Sequence, residues 1–339
     1  MMPKVAIVIL NWNGQHFLER FLPLLLERTP EPEAHLYVAD NGSTDGSVSW
    51  LREHFPDIRL VLFDRNLGYT GGYNKALEQI EAQYYILLNS DVEVTPGWLT
   101  PLVEFMDTSP GCGVCMPKIL SWSNPNQFEY AGACGGFIDR LGFPFCRGRI
   151  LTSIEKDQGQ YDSPARIFWA SGTCMMVRSD LFHSLKGLDN QFFAHMEEID
   201  FCWRAQWAGY SIDVVPASKI LHVGGGTLPN DSPHKLYLNY RNNLLMMYKN
   251  LGNKEIIPII TLRLIADHLS ALAYLFQGKW SFTGSVWKAH CHFWAMRHDV
   301  ERTKKDRSRD FSGVIYRGSI VFRFFLSLKK VTFSKLRMQ

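Results

Sequence analysis

Short apolar runs alternate with amphipathic stretches over the first 110 residues of the chain. The runs are typical of strands buried on both faces of a sheet, and the stretches between them have helical spacing. The pattern predicts strands at Val5–Leu10, Leu36–Ala39, Leu60–Phe63 and Tyr84–Leu88 and helices at Gln15–Glu27, Ser47–His54 and Tyr73–Gln83. This order predicts an α/β fold with a mostly parallel central sheet and flanking helices.

The predicted secondary structure of the remainder of the chain changes twice. Residues 111–165 are rich in glycine, proline and aromatic residues and look irregular, and from His234 the pattern is helical to the end. Between them, a helix is predicted within Gly187–Gly209, and strand-like runs are predicted at Ile167–Val177, Tyr210–Val215 and Lys219–His222. We therefore expect a domain at residues 1–233, with halves 1–110 and 111–233, and a C-terminal helical extension at 234–339.

Composition narrows the class of protein. Of the 339 residues, 46% are hydrophobic and 20% are charged, which excludes wholesale disorder. The net charge of +3 is too small to indicate a nucleic-acid partner. The seven cysteines are an odd number in mostly apolar settings, which suits a reducing compartment. Cys112 and Cys115 form a CxxC pair without a second pair of zinc-site spacing, so packed thiols are expected.

Polar clusters follow the predicted strands, where parallel sheets bind their ligands. Trp12 offers a stacking face after the first strand, and Asp40, after the second, can accept a hydrogen bond from a pyrimidine imide. The alternative for Asp40 is a helix cap in a turn. Glycines in the Asn66–Asn74 segment would let the backbone approach a phosphate at a helix start. The segment Asn11–Gly14 lacks the dinucleotide fingerprint, which excludes a dehydrogenase of that type.

Two residues are candidate metal ligands. Asp91 follows a buried strand and could hold a hard cation whose other oxygens come from a diphosphate, or it could be a solvated turn acid. His222 ends another apolar strand, before Gly224, Gly225 and Gly226. A lone histidine is more often structural than a ligand, so His222 gains weight from its pairing with Asp91.

Three acids lie close together in an aromatic segment, at Glu197, Glu198 and Asp200. Asp200 and Arg204 have the spacing of a helical ion pair, and Glu197 shares a face with Asp200. Glu198 points elsewhere and is free to meet a ligand. Crowding among the acids and aromatic side chains would raise a carboxylate pKa, as a general base requires. The alternative, an amphipathic surface helix, conflicts with the many flanking aromatic residues.

The C-terminal region contains a strongly apolar segment at 256–276, interrupted by Arg263, Asp267 and His268. It is long enough to span a membrane, but its charges favour a helix in the membrane plane or packed on protein. Three tryptophans follow at intervals of seven, and basic residues including Lys329 and Arg337 flank a last apolar segment. This composition suits an anionic membrane surface; an ordinary packed helical subdomain is the alternative.

Taken together, these segments resemble inverting family 2 glycosyltransferases of the GT-A fold, particularly the bacterial rhamnosyltransferase-like branch. The resemblance covers residues 4 to about 251 in family order. The matching segments are VAIVILNWNG, VADNGSTDGS, RNLGYTGGYNKAL, ILLNSDVEV, ASGTCMMVRSDLF, GLDNQFFAHMEEIDFCWRAQWAGY, ILHVGGGT and YLNYRNNLLMMYKNL.

The resemblance implies roles for individual residues. Donor binding would fall to Leu10, Trp12, Asp40, Asn66, Gly72, Asn74, Asn89 and Ser90. Asp91 and His222 would bind Mg²⁺ or Mn²⁺, with Asn89 in place of the first acid of the family's DxD signature. Glu198 would be the catalytic base, beside Glu197 and Asp200. Trp169, Ser171 and Gly172 would lie near the donor sugar and the acceptor.

The implied function is transfer of a sugar, with rhamnose favoured, from a dTDP- or UDP-sugar to a hydroxyl of a cell-surface glycan or lipid-linked acceptor. The apolar run Val5–Leu10 is too short for a signal peptide. We therefore expect a cytoplasmic protein at the inner face of the cell membrane. The alternative is a non-catalytic protein that binds a nucleotide sugar or glycan.

Overall fold

A computed structural model of the chain describes residues 3–29, 34–129, 132–224, 232–306, 308–328, 330–336 and 338. The helices are α1 Gln15–Glu27, α2 Ser47–His54, α3 Gly68–Leu77, α4 Leu99–Thr108, α5 Ser179–Ser184, α6 Glu197–Trp207, α7 Pro233–Asn250, α8 Asn253–Phe276, α9 Trp280–Met296 and α10 Ile320–Leu326. The strands are β1 Val5–Asn11, β2 Ala34–Asp40, β3 Arg59–Leu62, β4 Tyr84–Asn89, β5 Val92–Val94, β6 Cys112–Ser121, β7 Gly136–Asp139, β8 Pro144–Cys146, β9 Arg149–Ile150, β10 Ser153–Ile154, β11 Ala165–Ile167, β12 Cys174–Arg178, β13 Ser211–His222 and β14 Ile315–Tyr316.

The first half of the chain forms the predicted parallel strands. β1 lies between β2 and β4, and β3 pairs with the outer side of β2. Asn11 pairs with Asp40, and Leu10 pairs with Asn89, so the polar residues after these strands meet at one edge of the sheet. The third predicted helix was placed too late: α3 begins at Gly68, where the backbone accommodates a φ of 74°.

The second half contains more regular structure than its composition predicts. β6 is a ten-residue buried strand inside the segment predicted to be irregular. The run Ile167–Val177 is not one strand, because a loop separates β11 from β12. The two runs predicted at 210–222 form the single strand β13, with a register shift near Pro216, which has no N–H for the ladder.

The central sheet is mixed, in the order β11-β13-β6-β12-β4-β1-β2-β3, with β5 paired to β13. β12 runs antiparallel to both β4 and β6 and joins the two halves of the chain. A smaller sheet, in the order β10-β9-β8-β7-β14, lies beside it. Cys112 and Cys115 are buried in β6, and burial raises the pKa of both thiols, as expected of packed cysteines.

The C-terminal region begins with three helices, as predicted, but does not stay helical to its end. α7, α8 and α9 pack on one another, and α7 also packs on α6. After α9 the chain is mostly irregular, with β14, α10 and a short 3-10 turn. One hydrophobic core extends from the central sheet into these helices, through residues such as Leu244 and Phe293. Four residues that the sequence analysis named, Gly225, Gly226, Lys329 and Arg337, lie outside the described residues.

Candidate active site

A cleft with a volume of about 720 Å³ opens at the carboxyl ends of β1 and β4, where α6 and α7 also begin. This is the position at which α/β sheets bind ligands. It collects most of the residues predicted for the site: Leu10, Trp12, Asn66, Asn89, Ser90, Asp91, Trp169, Ser171, Gly172, Glu197, Glu198 and His222. Trp12 is 41% exposed, which leaves its ring open for stacking.

Four predicted site residues are not among those that line the cleft. Asp40 is buried and accepts hydrogen bonds from Asn11 and from the backbone of Ser43. Gly72 lies behind the wall, where an added Cβ would meet the side chain of Leu10 at 2.6 Å. Asn74 donates hydrogen bonds to the carbonyl oxygen of Leu188 and to Oδ1 of Asn190, and Asp200 pairs with basic residues of α6 and α7.

Asp200 is the centre of a buried ion-pair network between α6 and α7. Its Oδ2 atom lies 2.7 Å from Nε of Arg204, the predicted pair, and 3.0 Å from Nζ of Lys249. Its Oδ1 atom accepts a hydrogen bond from Asn250 at 2.8 Å. Burial alone would raise the pKa of Asp200, but the charges of Arg204 and Lys249 outweigh it and lower that pKa. The network fixes the helix that carries Glu197 and Glu198.

Asp91 and His222 meet at the floor of the cleft. Nε2 of His222 lies 3.2 Å from Oδ1 of Asp91, and Nδ1 of the same ring lies 3.2 Å from Oε2 of Glu129. The pairing of β5 with the end of β13 brings the two segments together, since His222 pairs with Val92. Burial opposes a charge on His222, but its contacts with Asp91 and Glu129 raise its pKa to about 9.

This arrangement fits a hard cation whose coordination is completed by a bound ligand. A carboxylate and an imidazole point to one place, and a carboxylate behind the imidazole orients the ring, as is common for metal-binding histidines. Among the described residues, no group of three or more His, Cys, Asp or Glu side chains could hold a metal by itself. Oxygens of a bound diphosphate would therefore have to complete the coordination.

Glu197 and Glu198 line the same cleft, at the start of α6. The sequence analysis placed Glu197 on the side of Asp200, but both glutamates line the cleft. The Oε2 atom of each is buried and has no hydrogen-bond partner among the described residues. Burial raises the pKa of Glu198 to about 7 against the effect of nearby backbone N–H groups. Burial and then the charge of Glu198 also raise the pKa of Glu197.

The loop before α6 has strained backbone. Phe193, His195 and Met196 have φ angles of 64°, 69° and 73°, which non-glycine residues adopt at a cost. Nδ2 of Asn242 donates to three carbonyl oxygens of this loop, those of Phe192, Ala194 and His195, at 2.8–2.9 Å. Helix α7 therefore holds the loop that aims the two glutamates into the cleft.

Sequence reasoning missed several residues of the site. Glu129 lies in a segment predicted to be irregular, and nothing local marks it as a partner of His222. Asn242 was seen as part of a matching segment but without a role. His195 and Lys235 also line the cleft. Burial lowers the pKa of His195 to about 4, with Lys235 and His234 contributing. The adjacent asparagines Asn242 and Asn243 of α7 were the one signal available in the sequence, because buried side-chain amides need hydrogen-bond partners.

The mixed sheet and its cleft at the strand ends are those of the GT-A fold, the fold expected from the sequence. The chain belongs to glycosyltransferase family 2. The family model described as "Glycosyl transferase family 2" matches residues 6–185, more than half of the chain. This match ends before α6, so it covers the parallel strands of the first half and the Asp91 turn but not Glu198.

Two curated relatives are similar over most of their length. An N-acetylglucosaminyl-diphospho-decaprenol L-rhamnosyltransferase of Mycobacterium tuberculosis is 27% identical over 73% of this chain and 85% of its own. The low-salt glycan biosynthesis hexosyltransferase Agl10 of Haloferax volcanii is 23% identical over 82% of this chain and 87% of its own.

Solved structures share the fold at low identity. GalNAc-T7, solved with UDP, GalNAc and Mn²⁺, has a TM-score of 0.56 at 16% identity, covering 73% of this chain. This chain corresponds to 48% of GalNAc-T7. TarS 1–349 of S. aureus has a TM-score of 0.52 at 14% identity, covering 77% of this chain and 70% of TarS 1–349. These likenesses bear on the fold alone.

Proposed function

We propose that this family 2 enzyme is an inverting, metal-dependent transferase that moves a deoxyhexose, rhamnose, from a nucleotide sugar to a lipid-linked acceptor. The observation that carries the proposal is the cleft itself. One cleft is lined both by two glutamates with unpartnered buried oxygens and by the Asp91–His222 pair. An acid able to take a proton and a site for a diphosphate cation thus face the same space.

The donor would lie along the strand ends. Trp12 and Leu10 would contact the base. The polar residues Asn66, Asn89 and Ser90 line the same cleft and would contact the diphosphate and ribose. Asp40, Gly72 and Asn74 would support this wall from behind rather than line it. The sugar would then extend toward Trp169, Ser171 and Gly172.

The chain's residues can carry a single displacement. Glu198 takes the proton from the acceptor hydroxyl as that oxygen attacks the anomeric carbon, on the face opposite the leaving nucleoside diphosphate. The C–O bond to the diphosphate breaks as the new glycosidic bond forms, and the configuration inverts. The pKa of Glu198, about 7, is that of a base poised near neutral pH. Burial and the charge of Glu198 raise the pKa of the neighbouring Glu197 as well.

Asp91 and His222 would hold Mg²⁺ or Mn²⁺ against the diphosphate, with Glu129 orienting the imidazole. When bound, such an ion stabilises the negative charge that develops on the leaving phosphate. GalNAc-T7, with a similar fold, was solved with Mn²⁺, which supports the choice of ion.

The substrates are proposed from the relatives. The mycobacterial relative is named for L-rhamnose and an N-acetylglucosaminyl-diphospho-decaprenol acceptor. We extend this to a dTDP- or UDP-sugar donor and a polyprenol-diphosphate sugar or growing glycan as the acceptor. Such an acceptor would place the protein in the cytoplasm, peripheral to the inner face of the membrane, with an anionic bilayer surface as its partner.

A panel of nucleotide sugars tests the proposal. Thermal unfolding with Mn²⁺ and each donor in turn should give the largest rise in midpoint with dTDP-rhamnose, since a ligand that binds the folded state stabilises it. A diphosphate-linked N-acetylglucosamine acceptor should then yield a rhamnosyl product with inverted configuration by NMR. Stabilisation by another donor with transfer of that sugar would overturn the choice of rhamnose. Binding without transfer to any acceptor would favour the non-catalytic alternative.

A further inference from the structure

Helix α8 has its polar and apolar faces reversed relative to an ordinary surface helix. Its buried residues are Ile260, Arg263, Asp267 and Ala271. Its exposed large apolar residues recur every three or four positions on the other face, at Leu262, Ile265, Leu269, Leu272 and Phe276. A surface helix normally turns its apolar stripe toward the core, so the outward stripe needs a partner of its own.

The two charged residues on the buried face of α8 make their contacts inside the protein. Nε of Arg263 lies 2.8 Å from Oδ1 of Asp267, and Oδ2 of Asp267 lies 3.2 Å from Nε2 of His290 on α9. The guanidinium of Arg263 also lies 3.8 Å from the ring centre of Phe143, in the β7–β8 turn. The inner face of α8 is thus tied to the catalytic part of the chain and to its neighbouring helix.

Helix α9 extends the exposed apolar surface. Trp280, Trp287 and Trp294, at intervals of seven, are 72%, 52% and 46% exposed. α9 packs against both α7 and α8, and α7 also lines the cleft with His234 and Lys235. We call the outward residues of α8 and these three tryptophans the apolar face.

Along the segment that carries the apolar face, basic residues outnumber acidic ones. Between Ile256 and His298 the chain contains a single acidic residue, the buried Asp267. The basic residues outside the α8 ion pair are Lys279, Lys288 and Arg297. The guanidinium of Arg297 lies 4.5 Å from the ring centre of Trp294. Tryptophans with neighbouring cations are the side chains found where a protein meets lipid headgroups.

Length and composition alone would allow α8 to cross a membrane. Among the described residues, α8 is the one helix that is long and apolar enough to do so. Its apolar stretch has a mean hydropathy of 1.6, and 22% of that stretch is buried inside the protein. Crossing would pull Arg263 and Asp267 away from Phe143 and His290 and place them in hydrocarbon, which is costly. The inner contacts therefore favour a helix that lies flat on a membrane.

We infer that the apolar face of α8 and α9 docks in the plane of an anionic lipid bilayer, as a monotopic anchor beside the cleft. The docking of the apolar face on a bilayer does not depend on the reaction that the protein catalyses. Only the purpose of docking, to meet an acceptor held in the same bilayer, rests on the proposed function. The apolar face enters the headgroup and upper acyl region of the bilayer, while Lys279, Lys288 and Arg297 attract anionic lipid.

Vesicle flotation tests the docking without any sugar donor. The full chain should float with phosphatidylcholine vesicles that contain phosphatidylglycerol, and much less with phosphatidylcholine alone or in high salt. Ile265→Glu with Leu269→Glu should weaken partitioning by at least about tenfold, because charged side chains are costly among acyl chains. Leu26→Glu with Leu62→Glu, which alters exposed apolar residues of α1 and β3, is the matched control and should bind like the parent.

A fluorophore reports the depth of the same surface. Cys291 is exposed and lies between Trp287 and Trp294, whereas the other six cysteines are buried. A polarity-sensitive label there should shift to the blue with anionic vesicles and be quenched by lipids brominated near the headgroup. A label at Leu62→Cys in a Cys291→Ser background should not respond.

Four results would overturn the inference. The parent chain could fail to float with anionic vesicles, or the Ile265→Glu, Leu269→Glu variant could float equally well. The lipid-free chain could be a dimer that the same substitutions dissociate, which would assign the apolar face to a second copy. Resistance to alkaline carbonate extraction would indicate a spanning helix. In each case, transfer to a soluble acceptor analogue without vesicles still tests the proposed function separately.

Discussion

Nε2 of His222 lies 3.2 Å from Oδ1 of Asp91, although Asp91 lies in the turn between β4 and β5 and His222 ends β13, in the other half of the chain. The short strand β5 makes this contact possible, because its pairing with β13 aligns Val92 with His222. The backbone N–H of Val223 also donates to the carbonyl oxygen of Asp91 at 3.1 Å. The pair is therefore held by backbone structure before any ligand arrives, and we expect it to bind a cation together with a diphosphate.

Metal removal should abolish nucleoside diphosphate release, and Mn²⁺ or Mg²⁺ should restore it. Asp91→Asn should raise the Mn²⁺ concentration needed for half-maximal activity, because the amide carries no charge to offset the cation. Activity measured against free Mn²⁺ checks this, with Asp64→Asn, on the loop after β3, as the control. Full activity in a chelator would contradict the assignment.

Glu129→Gln tests the residue behind the imidazole. Loss of a carboxylate that orients a metal-binding histidine lowers metal affinity by about 10- to 100-fold. Calorimetric titration of Mn²⁺ in the presence of nucleoside diphosphate measures this effect. Glu104→Gln, an exposed acid on α4, should leave the affinity unchanged. Equal affinities for both variants would show that Glu129 has no part in the site.

The pH dependence of transfer should follow Glu198. Its pKa is raised to about 7, and the base acts when ionised, so kcat/KM should rise with pH and level off above about 7. Below that value the rate should fall by about tenfold per pH unit. Donor binding, measured in parallel, separates this effect from loss of the substrate. A rate that stays flat across the same range would argue against a carboxylate base.

Glu198→Gln should also change stability with a defined sign. The folded-state pKa is raised from 4.5 to about 7, so protonated Glu198 favours folding below about pH 4.5, and this contribution is lost as the pH rises through 7. The glutamine variant should therefore be more stable than the parent above neutral pH and equal to it in acid. Urea unfolding at several pH values checks this. A variant that is less stable at pH 8 would disprove burial as the cause of the shift.

The buried Asp200 network should contribute far more to stability than an exposed pair. Asp200→Asn leaves Arg204 and Lys249 poorly compensated, so the free energy of unfolding should fall by about 3–5 kcal/mol. Lys186→Met removes an ion pair with Glu301 in which both side chains are 80% exposed, and should cost about 0–1 kcal/mol. Similar losses in the two variants would show that the network does not anchor α6.

The regular first half could be predicted because its signals are local. Continuous apolar runs gave β1 and β4, and the spacing of Asp200 and Arg204 predicted their ion pair. β6 was missed because Gly113 and Pro117 interrupt its sequence, while the burial that makes it a strand comes from β12 and β13 on either side. Tertiary packing there overrides local preference.

The residues of the candidate site could likewise be predicted only in part. Asp91, Glu198 and His222 follow recognisable segments, and the fold brings all three to one cleft. Glu129 and Asn242 could not be found, because each acts through a contact with a distant segment that no local pattern encodes. The reversed faces of α8 were visible only once the structure showed which side of the helix is buried.

The role of Glu198 is tested most directly by comparing nucleoside diphosphate release by the parent chain and by Glu198→Gln, with donor, acceptor and Mn²⁺ present. We predict steady release by the parent and a loss of about 10²- to 10⁴-fold in the variant, with donor affinity unchanged by calorimetry. Glu78→Gln, outside the cleft, should match the parent. Equal release by Glu198→Gln and the parent would contradict the claim that this carboxylate acts in the same cleft as Asp91 and His222.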